Sequence, residues 1–205
     1  MTDALGEAPL LALAGGPQLR LAGENVYLRP LGDGDLHDRY LGWLNDEEIN
    51  RYSERRGQNF SHDDLHGWLA AANASPDLLQ LGIFMRENDN HVGNISLRVT
   101  NVGARVAEVA TLIGEKDYWG RGVIVDAGKA LIHFAFSQLG LRKITLGNYA
   151  INRASTFKSR QLGAVLEGKF RQAALIEGEY VDVLEFGLFP DEFYSRFPEL
   201  KEEKE

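Results

Sequence analysis

Residues 106–140 read VAEVATLIGEKDYWGRGVIVDAGKALIHFAFSQLG, and their two periodicities decide the fold. Residues 106–113 alternate with a period of two. Val106, Glu108, Ala110 and Leu112 share one face, and Ala107, Val109, Thr111 and Ile113 share the other, as in a strand. From Ile124 the spacing becomes helical, with Ile124, Ala127, Leu131, Phe134 and Ala135 forming one apolar stripe. Asp126 suits the positive first turn of that helix, and Gly140 suits its stop. Between strand and helix lies Trp119-Gly120-Arg121-Gly122. A glycine turn that feeds a helix N-terminus points several unpaired backbone N–H groups in one direction, which makes an anion site, most often for phosphate.

Nucleotide-binding motifs are separable at this turn. A P-loop requires Gly-Lys-Ser/Thr, which the chain lacks. A dinucleotide fingerprint requires a small residue where Val125 stands and an acidic residue closing the next strand; both are missing. Tyr118-Trp119-Gly120-Arg121-Gly122 between a strand and an amphipathic helix instead resembles the pyrophosphate-binding turn of the GCN5-related N-acetyltransferases (GNAT). The similarity is to the branch holding ribosomal-protein N-terminal acetyltransferases and acetyltransferases of nucleotide-linked amino sugars. A second stretch, Asn152-Arg153-Ala154-Ser155 through Gly163, is similar to the family's second signature.

Bulk properties narrow the function classes. Among 205 residues, 22 Lys and Arg stand against 30 Asp and Glu, a formal charge of −8. That balance argues against broad nucleic-acid binding, which needs a basic surface. The chain has no cysteine, so disulfides, thiolate nucleophiles and cysteine–zinc sites are excluded. No apolar run approaches the ~20 residues of a membrane span. His62 and His66, four apart on one helix face, lack a third ligand nearby, and no metal site is expected.

Outward from the central stretch, residues 1–24 read as a loosely ordered extension in which Leu19 and Leu21 could form an edge strand. The domain then spans 25–193, and 194–205 is a charged tail. Asn25–Leu31 reads as a strand. Residues 33–73 read as mostly helical: one helix from Asp33 or Asp35, a short one from Asn45-Asp46, and a third from Ser61, with Asp64 completing a capping box. Strands follow at 80–85, 91–99 and 105–113, then the long helix, a strand near 142–148, the second signature, and strands at 164–174 and 179–189. Helices alternating with strands in this order predict an α/β (α+β) fold, a mixed, mostly antiparallel sheet with helices on both faces.

The resemblance implies a GNAT fold in a cytoplasmic transferase that takes acetyl-CoA as co-substrate. Trp119, Gly120, Arg121, Gly122, Val123 and Ile124 then hold the pyrophosphate, although a small residue is usual where Ile124 stands. The main chain of Leu112 and Ile113 pairs with the pantetheine arm, Asn152 and Ser155 meet it from the other side, and the two central strands splay to admit the thioester. The helical segment forms one wall of the acceptor groove, with Tyr52, Glu54 and Arg55 as acceptor contacts and Asp182 at a second acidic position. Acetyl transfer needs a base because a primary ammonium is mostly protonated at neutral pH. Glu108, flanked on its face by Val106, Ala110 and Leu112, is the expected base, its carboxyl raised by desolvation. Asn94 could position the amine. Ser159 occupies the place where relatives carry a tyrosine acid, and could only relay a proton or donate a hydrogen bond. The expected acceptor is a primary amine on a small molecule or nucleotide-linked amino sugar. A protein N-terminus, or a catalytically weak CoA-binding regulatory module, is the alternative, and a homodimer is compatible with either.

Overall fold

A computed structural model describes residues 10–201. Its strands are β1 (Leu21–Ala22), β2 (Val26–Pro30), β3 (Leu78–Met85), β4 (His91–Asn101), β5 (Val106–Ile113), β6 (Lys143–Tyr149), β7 (Val165–Ile176) and β8 (Glu179–Leu188). They form one sheet in the order β1-β2-β3-β4-β5-β6-β8-β7. Every neighbouring pair is antiparallel except β5 and β6. The helices are α1 (Leu10–Leu13), α2 (Asp38–Asn45), α3 (His62–Ala74), α4 (Val123–Ser137), α5 (Arg153–Gln161) and α6 (Pro190–Arg196).

The two periodicities of residues 106–140 reappear as β5 and α4. Ala127, Leu131, Ile132 and Ala135 of α4 are fully buried against Ala107 and Val109 of β5 and the inner residues of β2–β4. Leu131 and Ile132, withdrawn from water, each contribute on the order of 1.5–3 kcal/mol before entropy is charged against them, and the alanines less. On the opposite face, Tyr40, Trp43 and Leu44 of α2 and Leu65 and Leu69 of α3 pack with Tyr27, Leu31 and Phe84. The sheet is thus covered on both faces, so β3 is buried almost throughout and reads as a continuous apolar run. Gly114 is dictated by this second layer: a Cβ there would lie 1.9 Å from the Trp43 ring.

Three sequence expectations are corrected. Residues 10–22 are not a loose extension, because β1 pairs with β2 and Leu13, Leu19 and Leu21 pack against the core. Residues 1–9 lie outside the described set. Asp126 does more than complement a helix terminus: its carboxylate accepts the N–H groups of Glu24, Asn25 and Val26 at 2.7–3.1 Å, fastening the β1–β2 turn to α4. No helix starts at Asn45-Asp46. Asp46 instead accepts the N–H groups of Glu48 and Ile49, and Asn50 donates to the carbonyls of Trp43, Leu44 and Asp46. Side chains thus compete with the helical pattern, and a single i→i−4 bond, Asn50 N–H to the Asp46 carbonyl, remains. The chain end, read as a charged tail from residue 194, is not wholly solvated either: Tyr194, Phe197 and Leu200 pack against the core. Pro190 at the first turn of α6 and Glu192, which accepts the Phe189 N–H, start a helix that buries Phe193 completely.

Candidate active site

β5 and β6 are paired only from Val106 to Glu108 against Lys143 to Thr145. β5 continues to Ile113 and β6 to Tyr149, so the two strands diverge and leave one edge of β5 without a strand partner. This is the splay expected between the central strands. A cavity of about 790 Å³ fills the opening and reaches the loop after α2 and the β7–β8 hairpin.

The glycine turn lies between the end of β5 and the start of α4. Gly120 (φ 73°) and Gly122 (φ 78°) are left-handed, and Gly122 is the N-cap of α4 with no side-chain cap. A Cβ on either glycine would meet nothing within 4 Å, so the turn opens outward. The N–H groups of Gly120, Gly122, Val123 and Ile124 have no acceptor among the described residues. Such a cradle fits a diphosphate: four donors, the positive end of a fifteen-residue helix and no side chain in the way. Arg121 is exposed beside it, and the Trp119 indole donates to the Ile113 carbonyl at 2.9 Å, tying the turn to the end of β5. Val123 is buried and Ile124 half-buried, so Ile124 is accommodated along α4.

The other expected residues are distributed unevenly. Tyr52, Glu54, Arg55, Asn94, Glu108, Leu112, Asn152 and Ser155 all line the cavity. The loop carrying the first three is latched to the β7–β8 hairpin through Arg51–Glu177 at 2.9 Å and Arg56 to the Leu175 carbonyl. Asn152 caps α5 by accepting the Ser155 N–H, and the Ser155 hydroxyl donates to Asn148. Three residues do not line the cavity: Ile113, whose carbonyl takes the Trp119 indole N–H, and Ser159 and Asp182. Ser159 is fully buried, accepts from Asn148 Nδ2 at 2.9 Å and donates to the Ser155 carbonyl, so its proton is committed to the helix. Asp182 accepts from Gln172 N–H and Lys169, and orders the irregular stretch of β7 where Gln172 is left-handed.

Glu108 is on the predicted face but is exposed, because that face looks into the open cavity and no helix covers it there. The desolvated carboxyl is Glu185, which sequence reading missed. Burial first, then the charges of Glu108 and Glu167, push Glu185 above the usual carboxylate range, against the opposing pull of Lys143. Gly147, opposite Glu185, makes this neighbourhood: the point where its Cβ would stand is 3.3 Å from Glu185 and 3.9 Å from Glu108. The missing side chain lets both carboxylates face one spot at the splay.

Asn94 is held from below. His91 Nε2 meets two acceptors, the Gly93 carbonyl at 3.0 Å and Asn94 Oδ1 at 3.1 Å, which places the proton on Nε2. The ring stacks on Phe84 and is edged by Tyr40 and Trp43. Burial depresses His91 from 6.5 to about 4. Below pH 6.5 the unfolded chain therefore takes up a proton that the native state refuses until about pH 4. Stability should rise from pH 4 to 6.5 by an amount on the order of 3 kcal/mol from this group. Urea titrations of wild type and His91→Gln across that window measure it; the mutant's slope should be flatter, and equal slopes would refute the assignment.

The comparisons with known proteins agree with this geometry. The family described as "Acetyltransferase (GNAT) domain" matches residues 25–165. The chain belongs to the GNAT acetyltransferases. It is therefore an acetyl-CoA-dependent N-acetyltransferase. "Putative ribosomal N-acetyltransferase YdaF" of Bacillus subtilis (strain 168) is 30% identical over 101 residues, 49% of this chain and 55% of that relative, so only about half of that protein's length is matched. "Probable N-acetyltransferase YjcK" of the same organism is 24% identical over 79% of this chain and 92% of its own length. Among solved structures, a spermidine N-acetyltransferase from Vibrio cholerae in complex with CoA and spermine superposes with a TM-score of 0.73 at 23% identity, covering 82% of this GNAT chain and 98% of that one. A GNAT acetyltransferase from Bacillus anthracis gives 0.74 at 16% identity, over 84% and 99%. Among the described residues no helix is long and apolar enough to cross a membrane.

Proposed function

We propose that this acetyltransferase acetylates a primary amine on a small cationic molecule, bound in the cavity at the β5–β6 splay. Acetyl-CoA supplies the acetyl thioester; the Gly120–Ile124 turn is the place for its diphosphate and the free edge of β5 for its pantetheine arm. The observation that carries the reading is the pair of carboxylates, Glu108 and Glu185, converging above Gly147. Glu54 adds a third carboxylate to the lining. Of the two arginines there, Arg98 is committed to Asp77 at 3.1 Å. Lys158 also lines the cavity, but on the Thr111 side, so the spot above Gly147, where the two carboxylates converge, is the place that favours an ammonium over an anion. Glu108, exposed to the cavity, is the group to take the amine proton, and Asn94 the group to orient the nitrogen.

The description of YdaF supports a second reading, in which the acceptor is a protein N-terminus. Incubating the purified protein with acetyl-CoA and three probes separates them: spermidine, a nucleotide-linked amino sugar, and a peptide with a free N-terminal serine. Preferential acetylation of spermidine supports the first reading, and preference for the peptide overturns it. Glu185 sharpens the test. Its raised pKa means that the ionised form is reached only at higher pH, so amine affinity should strengthen as pH rises through that raised value. Removing one charge-assisted contact costs about 1.5–3 kcal/mol, so Glu185→Gln should raise the acceptor KM tenfold or more and flatten its pH dependence. An unchanged KM would remove Glu185 from the acceptor site.

A further inference from the structure

Lys158 is 5% exposed, on α5, a helix with no apolar stripe of its own. Its Nζ donates to Thr111 Oγ1 at 3.0 Å and lines the cavity. No carboxylate pairs with it among the described residues; one hydroxyl is the sole hydrogen-bond partner of a group with three protons to donate. Thr111 lies beyond Glu108, where β5 has already parted from β6. Strand alternation puts Thr111 on the same face as Val109, the face packed by α4, and Glu108 on the face shared with Leu112, which packs toward α2 and α3. The amine and the Glu108 carboxylate therefore enter the splay from opposite sides of the sheet. An unpaired buried ammonium is costly and is kept only where something compensates for it.

We propose that Lys158 is a catalytic residue, the proton donor to the departing CoA thiolate. This rests on the pantetheine arm lying along the free edge of β5, as placed above. As the acceptor nitrogen forms its C–N bond to the acetyl carbon, the C–S bond breaks and its electron pair stays on sulfur. Lys158 gives a proton to that sulfur, and the surplus proton of the nitrogen goes to Glu108. Solvent then takes the Glu108 proton and returns one to Lys158, so the net products are amide and free thiol. Burial lowers Lys158 to about 8, without help from any charge, so at neutral pH it is charged but close to release. Other ionisable groups around the cavity are Glu54, Arg55 and Tyr52 of the loop after α2, Tyr40 of α2 and Arg98 of β4. Glu108 of β5, Tyr149 of β6 and Glu185 of β8 complete them, and none is bonded to Lys158.

The test compares wild type with Lys158→Met, in which an apolar chain of similar length fills the site. The rate with acetyl-CoA and the best of the three amine probes should fall by about 10²–10³-fold, within the range for lost acid catalysis. The fall in wild-type rate above pH 8 should be absent from the mutant. Because the buried ammonium weighs on the native state below its pKa, Lys158→Met should also melt higher than wild type at neutral pH. Free CoA provides a readout without turnover: its thiol, titrated by thiolate absorbance, should ionise at lower pH when bound to wild type than when bound to the mutant. A mutant that melts lower yet keeps its rate would show a structural lysine and overturn the proposal. So would acetyl found on Lys158 itself by mass spectrometry, since the amine would then be an acceptor. If CoA binds neither protein, or binds without engaging residues of the β5 edge, the placement of the arm fails first. Normal CoA binding with equal thiol titration in both proteins defeats the role of Lys158 alone.

Discussion

Glu108→Gln should lower kcat by ~10²–10⁴-fold, the usual loss when a general base is removed, while acetyl-CoA affinity stays the same. The structure separates this residue from the scaffold. Glu108 is exposed and makes no ion pair or hydrogen bond among the described residues, although Arg98 is its register partner on β4, because Arg98 is engaged by Asp77. A surface residue so unencumbered contributes within about 0.5 kcal/mol to stability, so the mutant should melt with wild type. Glutamine keeps the shape and the hydrogen-bonding oxygen but cannot accept the amine proton. Small external carboxylates such as formate should therefore recover part of the rate in the mutant. Normal turnover by Glu108→Gln over the whole pH range would mean that the acceptor arrives already neutral.

What could be read from the sequence follows the range of the forces involved. β5, the glycine turn and α4 were legible because strand and helix periodicities and left-handed glycines are local properties. The splay itself was available only through resemblance, since nothing in residues 106–113 or 143–149 says where their pairing ends. Glu185 and Lys158 were missed for one reason: each is polar, and its burial is imposed by other elements. Glu185 is shaped by the glycine at 147 and by Glu108 two strands away. For Lys158 a signal existed. Counting back from Leu162, the inward positions of α5 are 159, 158 and 155, which places Lys158 inside and leaves Phe157 64% exposed. Ser159 drew attention by matching a motif position, and the same count shows it facing the core. The loop at 46–58 misled because its spacing is helical, while Asp46 and Asn50 supply side-chain bonds that compete with a helix.

Gly122→Val should abolish most acetyl-CoA binding, with a dissociation constant raised by about 10–10³-fold. The estimate comes from losing one or two charge-assisted backbone contacts of about 1.5–3 kcal/mol each. Gly122 is left-handed at φ 78°, where a β-branched residue is strained by roughly 1–2 kcal/mol, so the turn would relax and re-aim its N–H groups. Nothing stands within 4 Å of the new Cβ, so the side chain is not expelled by the protein; it stays in the space the diphosphate needs. The mutant should thus fold, melt slightly lower, and fail to bind. Strain and binding are separated by a control at Gly16, also left-handed (φ 66°) and also open, but in the turn before β1. Gly16→Val should lose similar stability and leave affinity untouched. Calorimetry is the measurement for both proteins. Wild-type affinity in Gly122→Val would move the diphosphate away from this turn, and equal losses in both mutants would attribute the effect to stability instead of to the cradle.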